Sequence, residues 1–152
     1  MAKVLVSSCL LGLSCKYNGS NNYNKAVTEF CRDKIVILAC PEVLGGLPTP
    51  RPPSELQQGD GQDILKGEGS VVNKLGNDVT KNFLEGAQKA YQLAKENNVK
   101  VSVLKAKSPS CGSGKIYDGQ FCGRLKNGDG VTAALFKKNN IKVLTEEDFN
   151  ES

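Results

Sequence analysis

At 152 residues the chain has the size of one domain, 1–152, able to bury roughly 70% of its unfolded surface. Its net charge of +4 is small and scattered, which argues against a nucleic-acid partner, and no apolar run approaches the ~20 residues of a membrane span. Histidine is absent, which excludes His triads, His metal ligands and imidazole acid–base chemistry together; proton transfer falls to Glu, Asp, Lys, Tyr, Cys or water.

Lys3–Ser7 reads as a first, buried-type strand that runs into Ser7-Ser8-Cys9. One lysine and a very short apolar stretch do not make a signal peptide, so the expected setting is the cytoplasm, where six cysteines are poor grounds for disulfides. A short helix is expected near Lys25–Cys31, and a second strand over Lys34–Ala39 ends at Cys40-Pro41-Glu42. Gly45 to Pro53 carries Pro48, Pro50, Pro52 and Pro53, which stiffen it in extended form, as suits a site wall directly after a thiol. Gly59–Gly69 reads as a glycine-rich mobile loop or excursion, and Ser70–Lys74 as a short extended piece.

Asn77 or Asp78 is expected to cap the clearest helix, running to about Asn97, with Val79, Phe83, Ala87, Ala90, Tyr91 and Ala94 on its core face. Lys100–Lys105 follows as a strand and delivers Ser108-Pro109-Ser110-Cys111-Gly112, a turn with a thiol inside it. Ile116–Cys122 reads as a hairpin turning at Asp118-Gly119. Gly130–Lys138 is a second helix and Ile141–Leu144 a last strand. The order implies an α/β fold: an open, mainly parallel sheet flanked by helices, with a hairpin excursion.

Three strands thus each deliver a cysteine just past the carboxyl end: Cys9, Cys40 and Cys111. In an open parallel sheet those ends share one edge, where ligands bind. Cys31 and Cys122 read instead as small buried hydrophobes, and Cys15 is left open. No C-x-x-C pair is present, which disfavours a zinc ribbon or a thioredoxin-like site. Soft sulfur ligands select zinc, Cu(I) or an iron–sulfur cluster. Structural zinc would take Cys15 as a fourth ligand, whereas a cubane cluster accepts three cysteines and leaves one iron open as a Lewis acid. Two further motifs carry less. Gly112-Ser113-Gly114-Lys115 lacks the Ser or Thr and the helix of a phosphate loop. Gly128-Asp129-Gly130-Val131-Thr132-Ala133 fits a dinucleotide fingerprint but follows a hairpin, so its helix start is expected only to offer amides to a substrate.

The stretches SSCLLGLSCKYNG, CPEVLGGLPTPRPPSE, GNDVTKNFLEGA, SPSCGSGKIYDGQFCG and GDGVTAAL resemble, in order and over nearly the whole chain, the thiouracil desulfidase family. The resemblance implies a small Rossmann-like domain with a [4Fe–4S] cluster on Cys9, Cys40 and Cys111, the open iron taking the sulfur of a thiolated base or nucleoside without net redox chemistry. It also implies roles for Glu42, two places after the second ligand, in proton handling, and for Ser108, three places before the third, in orienting the ring. Backbone amides near Gly112 and Gly130 are further candidates for orienting it, and Arg51 reads equally as a rim contact or a solvated charge. The competing reading is a non-catalytic metal-binding or sulfur-carrying module using Cys9, Cys15, Cys40 and Cys111 together.

Overall fold

The computed structural model describes residues 2–149. Lys3–Ser7 (β1), Ile35–Ala39 (β2), Val101–Leu104 (β5) and Lys142–Thr145 (β8) form one parallel sheet in the order β2-β1-β5-β8. Side chains alternate across β1 as a strand requires. Val4 and Val6 turn to one face and pack with Val103 and with Val27 and Cys31 of α1 (Lys25–Cys31). Leu5 turns to the other face, against Ala90 and Ala94 of α4 (Thr80–Glu96) and Phe136 of α5 (Val131–Lys138). A fully buried Leu or Val contributes roughly 1.5–3 kcal/mol, so a one-residue slip of β1, which would exchange its faces, is strongly disfavoured.

That register fixes the site. Ser7 pairs with Ala39, and Val6 with Val103, so Cys9, Cys40 and the loop after β5 all leave at one edge. The chain passes from β1 to β2 on one side and then crosses to β5 and β8 on the other. The strand order therefore reverses at β1, and the crevice at such a reversal is the usual ligand position in open α/β sheets.

Two small antiparallel sheets complete the molecule: β3 (Ser54–Gln58) with β4 (Ser70–Asn73), and β6 (Lys115–Tyr117) with β7 (Leu125–Asn127). Leu56, Val71 and Ile116 from them join Phe83, Val131 and Leu135 in a separate apolar cluster. Among the described residues no helix is long and apolar enough to cross a membrane.

Several expectations are corrected. Inside the glycine-rich Gly59–Gly69 lies a helix, α3 (Gly61–Leu65), closed by a reciprocal cap: Asp60 Oδ1 accepts from Asp63 N at 3.1 Å and Asp63 Oδ2 from Asp60 N at 3.0 Å. Strand β3 begins straight after the prolines, in a stretch to which the sequence pattern assigns no element. Helix α4 starts at Thr80 and neither Asn77 nor Asp78 is its cap; Asp78 Oδ1 accepts from Thr80 N across a turn. The hairpin is longer than a two-residue turn allows, with residues 118–124 joining β6 to β7, and Cys122 is consequently exposed instead of packed. Cys31 is buried, in keeping with a packing role.

Candidate functional site

Each thiol is seated by its own element. Cys9 lies in the 3-10 turn Ser8–Leu11 at the end of β1, buried, its sulfur accepting from Asn22 Nδ2 at 3.3 Å. Cys40 is the N-cap of α2 (Pro41–Leu44), with Pro41 at the first helical position, where its missing N–H costs nothing. Cys111 sits in the 108–112 turn, buried, and accepts from Ser7 Oγ at 3.4 Å. Ser7 thus joins two of the segments, because its Oγ also accepts from Lys105 N at 3.0 Å.

The three expected thiols do converge, and a fourth stands among them. Half-buried Cys15 neighbours Cys9 and Cys40, and its carbonyl oxygen accepts from Cys40 Sγ at 3.8 Å. Its proton is held far above the usual thiol range, first by the bond to Cys40 and then by that to Cys9. Its bond is the main cause that lowers Cys40 to about 6, assisted by the Val43 amide and opposed by burial and by Glu42. The same Cys15 bond, with Asn22, holds Cys9 below its ordinary value against burial. Cys111 goes the other way, pushed up to about 12 chiefly by burial, and it feels the charges of Cys40, Cys9 and Glu42. A thiol in such a place loses its proton when a metal centre arrives.

Close backbone contacts hold two of these cysteines in place. Helix α4 crosses α2 at Gly86, where a Cβ would lie 1.9 Å from the Pro41 carbonyl oxygen, so the Cys40–Glu42 segment rests on a spot only glycine can supply. Gly130, the N-cap of α5, meets the 108–112 turn in the same way, with a would-be Cβ 2.5 Å from Ser110 O. The first amides of α5 are consumed there: Gly130 N donates to Gly112 O, Val131 N to Pro109 O and Thr132 N to Ser110 O. Gly112 N likewise donates to Ser108 O at 2.8 Å. The amides near Gly112 and Gly130 are thus spent on building the turn that carries Cys111, and they do not face a substrate.

Beside the thiols lies a cleft of about 570 Å³, whose walls include Cys9, Glu42, Arg51, Glu55, Ser108 and Phe121. Ser108 Oγ accepts from Ser110 N at 3.1 Å and Cys111 N at 3.0 Å. Glu42 is drawn out of water, and burial raises its carboxyl above the usual range while the Arg51 guanidinium pulls it back. Arg51 is not a solvated charge; it stands in the wall of the cleft. It is buried, and its guanidinium donates from Nε to Glu42 Oε1 at 3.1 Å, from Nη1 to Pro48 O at 3.2 Å and Thr49 Oγ1 at 3.1 Å, and from Nη2 to Cys15 O at 2.9 Å. With its own amide on Tyr17 O at 2.7 Å, this one residue joins the proline-rich loop to the Cys15 turn and to Glu42. Planar, multi-donor geometry of this kind is what Arg supplies and Lys cannot.

A model of the 2-thiouracil desulfurase family matches residues 4–148. The chain belongs to that family. It is 46% identical over 148 residues to the uncharacterized protein YbbK of Bacillus subtilis (strain 168), covering 97% of this chain and 98% of that protein. It is also similar to the solved structure of the [4Fe-4S]-dependent thiouracil desulfidase TudS, with a TM-score of 0.85 and 39% identity over 97% of this chain and 93% of that one. The α/β fold expected from the sequence, a mainly parallel sheet flanked by helices with a hairpin excursion, is therefore the fold of the family.

The donor set fits an iron–sulfur cluster. Three separate segments deliver thiols to one sheet edge, and one of them, Cys9, lines a cleft open to a small molecule. Among the described residues no three His, Cys, Asp or Glu side chains are spaced to clasp one metal ion as they stand. A cluster takes each cysteine on a different iron and does not ask for that spacing.

Proposed function

We propose that this protein is a [4Fe–4S]-dependent desulfidase that hydrolyses the C–S bond of a small thiolated pyrimidine such as thiouracil, or of its nucleoside, giving the oxo base and sulfide. In this reading Cys9, Cys40 and Cys111 hold the cluster, Glu42 and Ser108 serve the reaction, and the whole chain acts as one cluster-binding domain. Cytoplasmic placement suits thiolates that must stay reduced. The observation that carries the proposal is the delivery of three strand-end thiols to one sheet edge, beside a cleft walled by Cys9, Glu42 and Ser108, in a member of this family.

The cluster, when bound, supplies a Lewis-acidic iron to which a soft thiocarbonyl sulfur is drawn. The rest belongs to the chain. Replacing C=S by C=O consumes one water and releases one H₂S, so electrons balance without a redox partner, and a base must take a proton from the water. Glu42 suits that role, because burial raises its carboxyl above the usual carboxylate range and Arg51 fixes the carboxylate at Nε. Ser108 Oγ accepts two amide hydrogens, which occupies its lone pairs and leaves its own O–H to donate to a polar atom of the ring. Arg51 keeps the Cys15 turn and the proline-rich loop closed around the carboxylate.

The test is anaerobic purification with iron and sulfide analysis. Brown protein with broad absorption near about 400 nm, losing iron in Cys9→Ser, Cys40→Ser and Cys111→Ser, is expected. Colourless protein holding zinc on four cysteines would return the reading to a metal-binding or sulfur-carrying module.

A further inference from the structure

Glu55 lies on β3 just beyond the proline-rich loop, buried, in the wall of the cleft. A single carboxylate oxygen, Oε1, accepts from two amides of the loop between β6 and β7: Gly119 N at 2.9 Å and Phe121 N at 3.2 Å. These partners are 64 and 66 residues away in sequence. A buried carboxylate spent on two charge-assisted bonds to a distant loop is a tether, because leaving those amides unpaired in a buried place is costly.

The loop is held at other points too. Gly119, at φ +93°, presses on β3 so closely that a Cβ would stand 2.7 Å from Gln57 Cα. Asp118 N donates to Arg124 O at 2.9 Å, and Asp118 Oδ1 accepts from Gln120 N at 2.9 Å. Phe121 takes φ +55°, a left-handed conformation that bulky residues avoid unless their surroundings impose it. The half-buried Phe121 lines the cleft, as does Tyr117. The tether thus fixes an aromatic side chain in the cleft wall before any substrate enters.

We infer that Phe121 is a stacking wall for the ring of the substrate and that Glu55 is the positioning residue that holds it there. The inference rests on the desulfidase reading, since a thiolated pyrimidine is flat and presents a π face, and an aromatic fixed in advance binds it without an ordering cost. Glu55 acts through the loop. Its loss should therefore weaken binding and leave the chemical step alone.

The experiment compares reconstituted wild type with Glu55→Ala, Glu55→Gln, Phe121→Leu and Phe121→Tyr. It measures iron content, steady-state sulfide release from thiouracil, and hydrogen exchange of the 118–123 amides. In Glu55→Ala the Gly119 and Phe121 amides should exchange about tenfold faster or more. The KM for thiouracil should rise about tenfold, with kcat within about threefold and iron unchanged. Glu55→Gln, which keeps an acceptor oxygen, should recover most of the loss. Phe121→Leu, apolar but without a π face, should raise KM about tenfold, and Phe121→Tyr should recover most of it.

Wild-type KM in Phe121→Leu overturns the stacking wall. Wild-type exchange in Glu55→Ala, or a fall in kcat at unchanged KM, overturns the tether. Phe121→Leu removes no backbone contact and decides the matter alone should Glu55→Ala fail to fold. Iron-loaded wild type that releases no sulfide would defeat the desulfidase reading instead. Calorimetric uracil binding then judges the wall: equal affinity in wild type and Phe121→Leu overturns it, and a weaker Phe121→Leu supports it.

Discussion

Gly86→Ala is a sharp test of how the fold places Cys40 and Glu42. Alanine in mid-helix gains about 1 kcal/mol of helix propensity over glycine, so on propensity alone the variant is stabilised. At this position a Cβ would stand 1.9 Å from the Pro41 carbonyl oxygen, against about 3.3 Å for an unstrained carbon–oxygen contact. Helices α2 and α4 must part by roughly 1.4 Å to admit it. Overpacking costs about 1–3 kcal/mol, and the obstacle here is backbone, which cannot rotate aside, so the upper end applies. The net is a loss of about 1–2 kcal/mol, or a Tm lower by about 3–8 °C. The functional loss is larger, because Pro41 lies between Cys40 and Glu42 and a misplacement of about 1 Å can cost about 10²-fold in rate. Thermal unfolding, iron per chain after anaerobic reconstitution and sulfide release are measured together, with exposed Lys89→Ala on the same helix as control. A Gly86→Ala protein with raised Tm, full iron and wild-type rate would refute the argument.

Cys9→Ser, Cys40→Ser and Cys111→Ser should each lose stable iron. Cys31→Ser should lose some stability, and exposed Cys122→Ser neither; iron analysis and thermal melts check all five. Glu42→Gln keeps the size of the side chain and loses its proton chemistry, so iron and colour should be normal while sulfide release slows by about 10²–10⁴-fold; near-normal turnover would move the base elsewhere. Arg51→Met breaks a buried pair from one side, at a cost of about 3–5 kcal/mol by urea unfolding. With the counterion gone, burial acts on Glu42 unopposed and raises its carboxyl further. Since the base must be ionised, the acid limb of the pH–rate profile should then move to higher pH.

The strand-end cysteines were legible because a parallel register is a one-dimensional fact: buried-type strands each followed by a thiol can only bring them to one edge, and the Ser7–Ala39 pairing does so. Arg51 was not legible in the same way. Two of its partners are the carbonyls of Pro48 and Cys15, and no spacing in sequence encodes a bond to a backbone oxygen 36 residues away. Gly86 falls in a helical pattern as filler, and the close approach that requires it exists only once α2 is in place. In Gly59–Gly69 the glycines mask a usable signal, Asp60 and Asp63 at capping-box spacing before Ile64. The α5 start illustrates a motif whose donors are already taken, since Pro109, Ser110 and Gly112 carbonyls occupy its amides. Cys122 is exposed because the loop it belongs to is tethered to Glu55 and not zipped into strands.

The most direct measurement is the product stoichiometry of the anaerobically reconstituted protein with thiouracil, with no reductant or oxidant added. One sulfide and one uracil per thiouracil consumed, over many turnovers and with iron per chain unchanged, is the result expected. Sulfide released only once per chain, or only when a reductant is supplied, would contradict a non-redox desulfidase built on Cys9, Cys40 and Cys111.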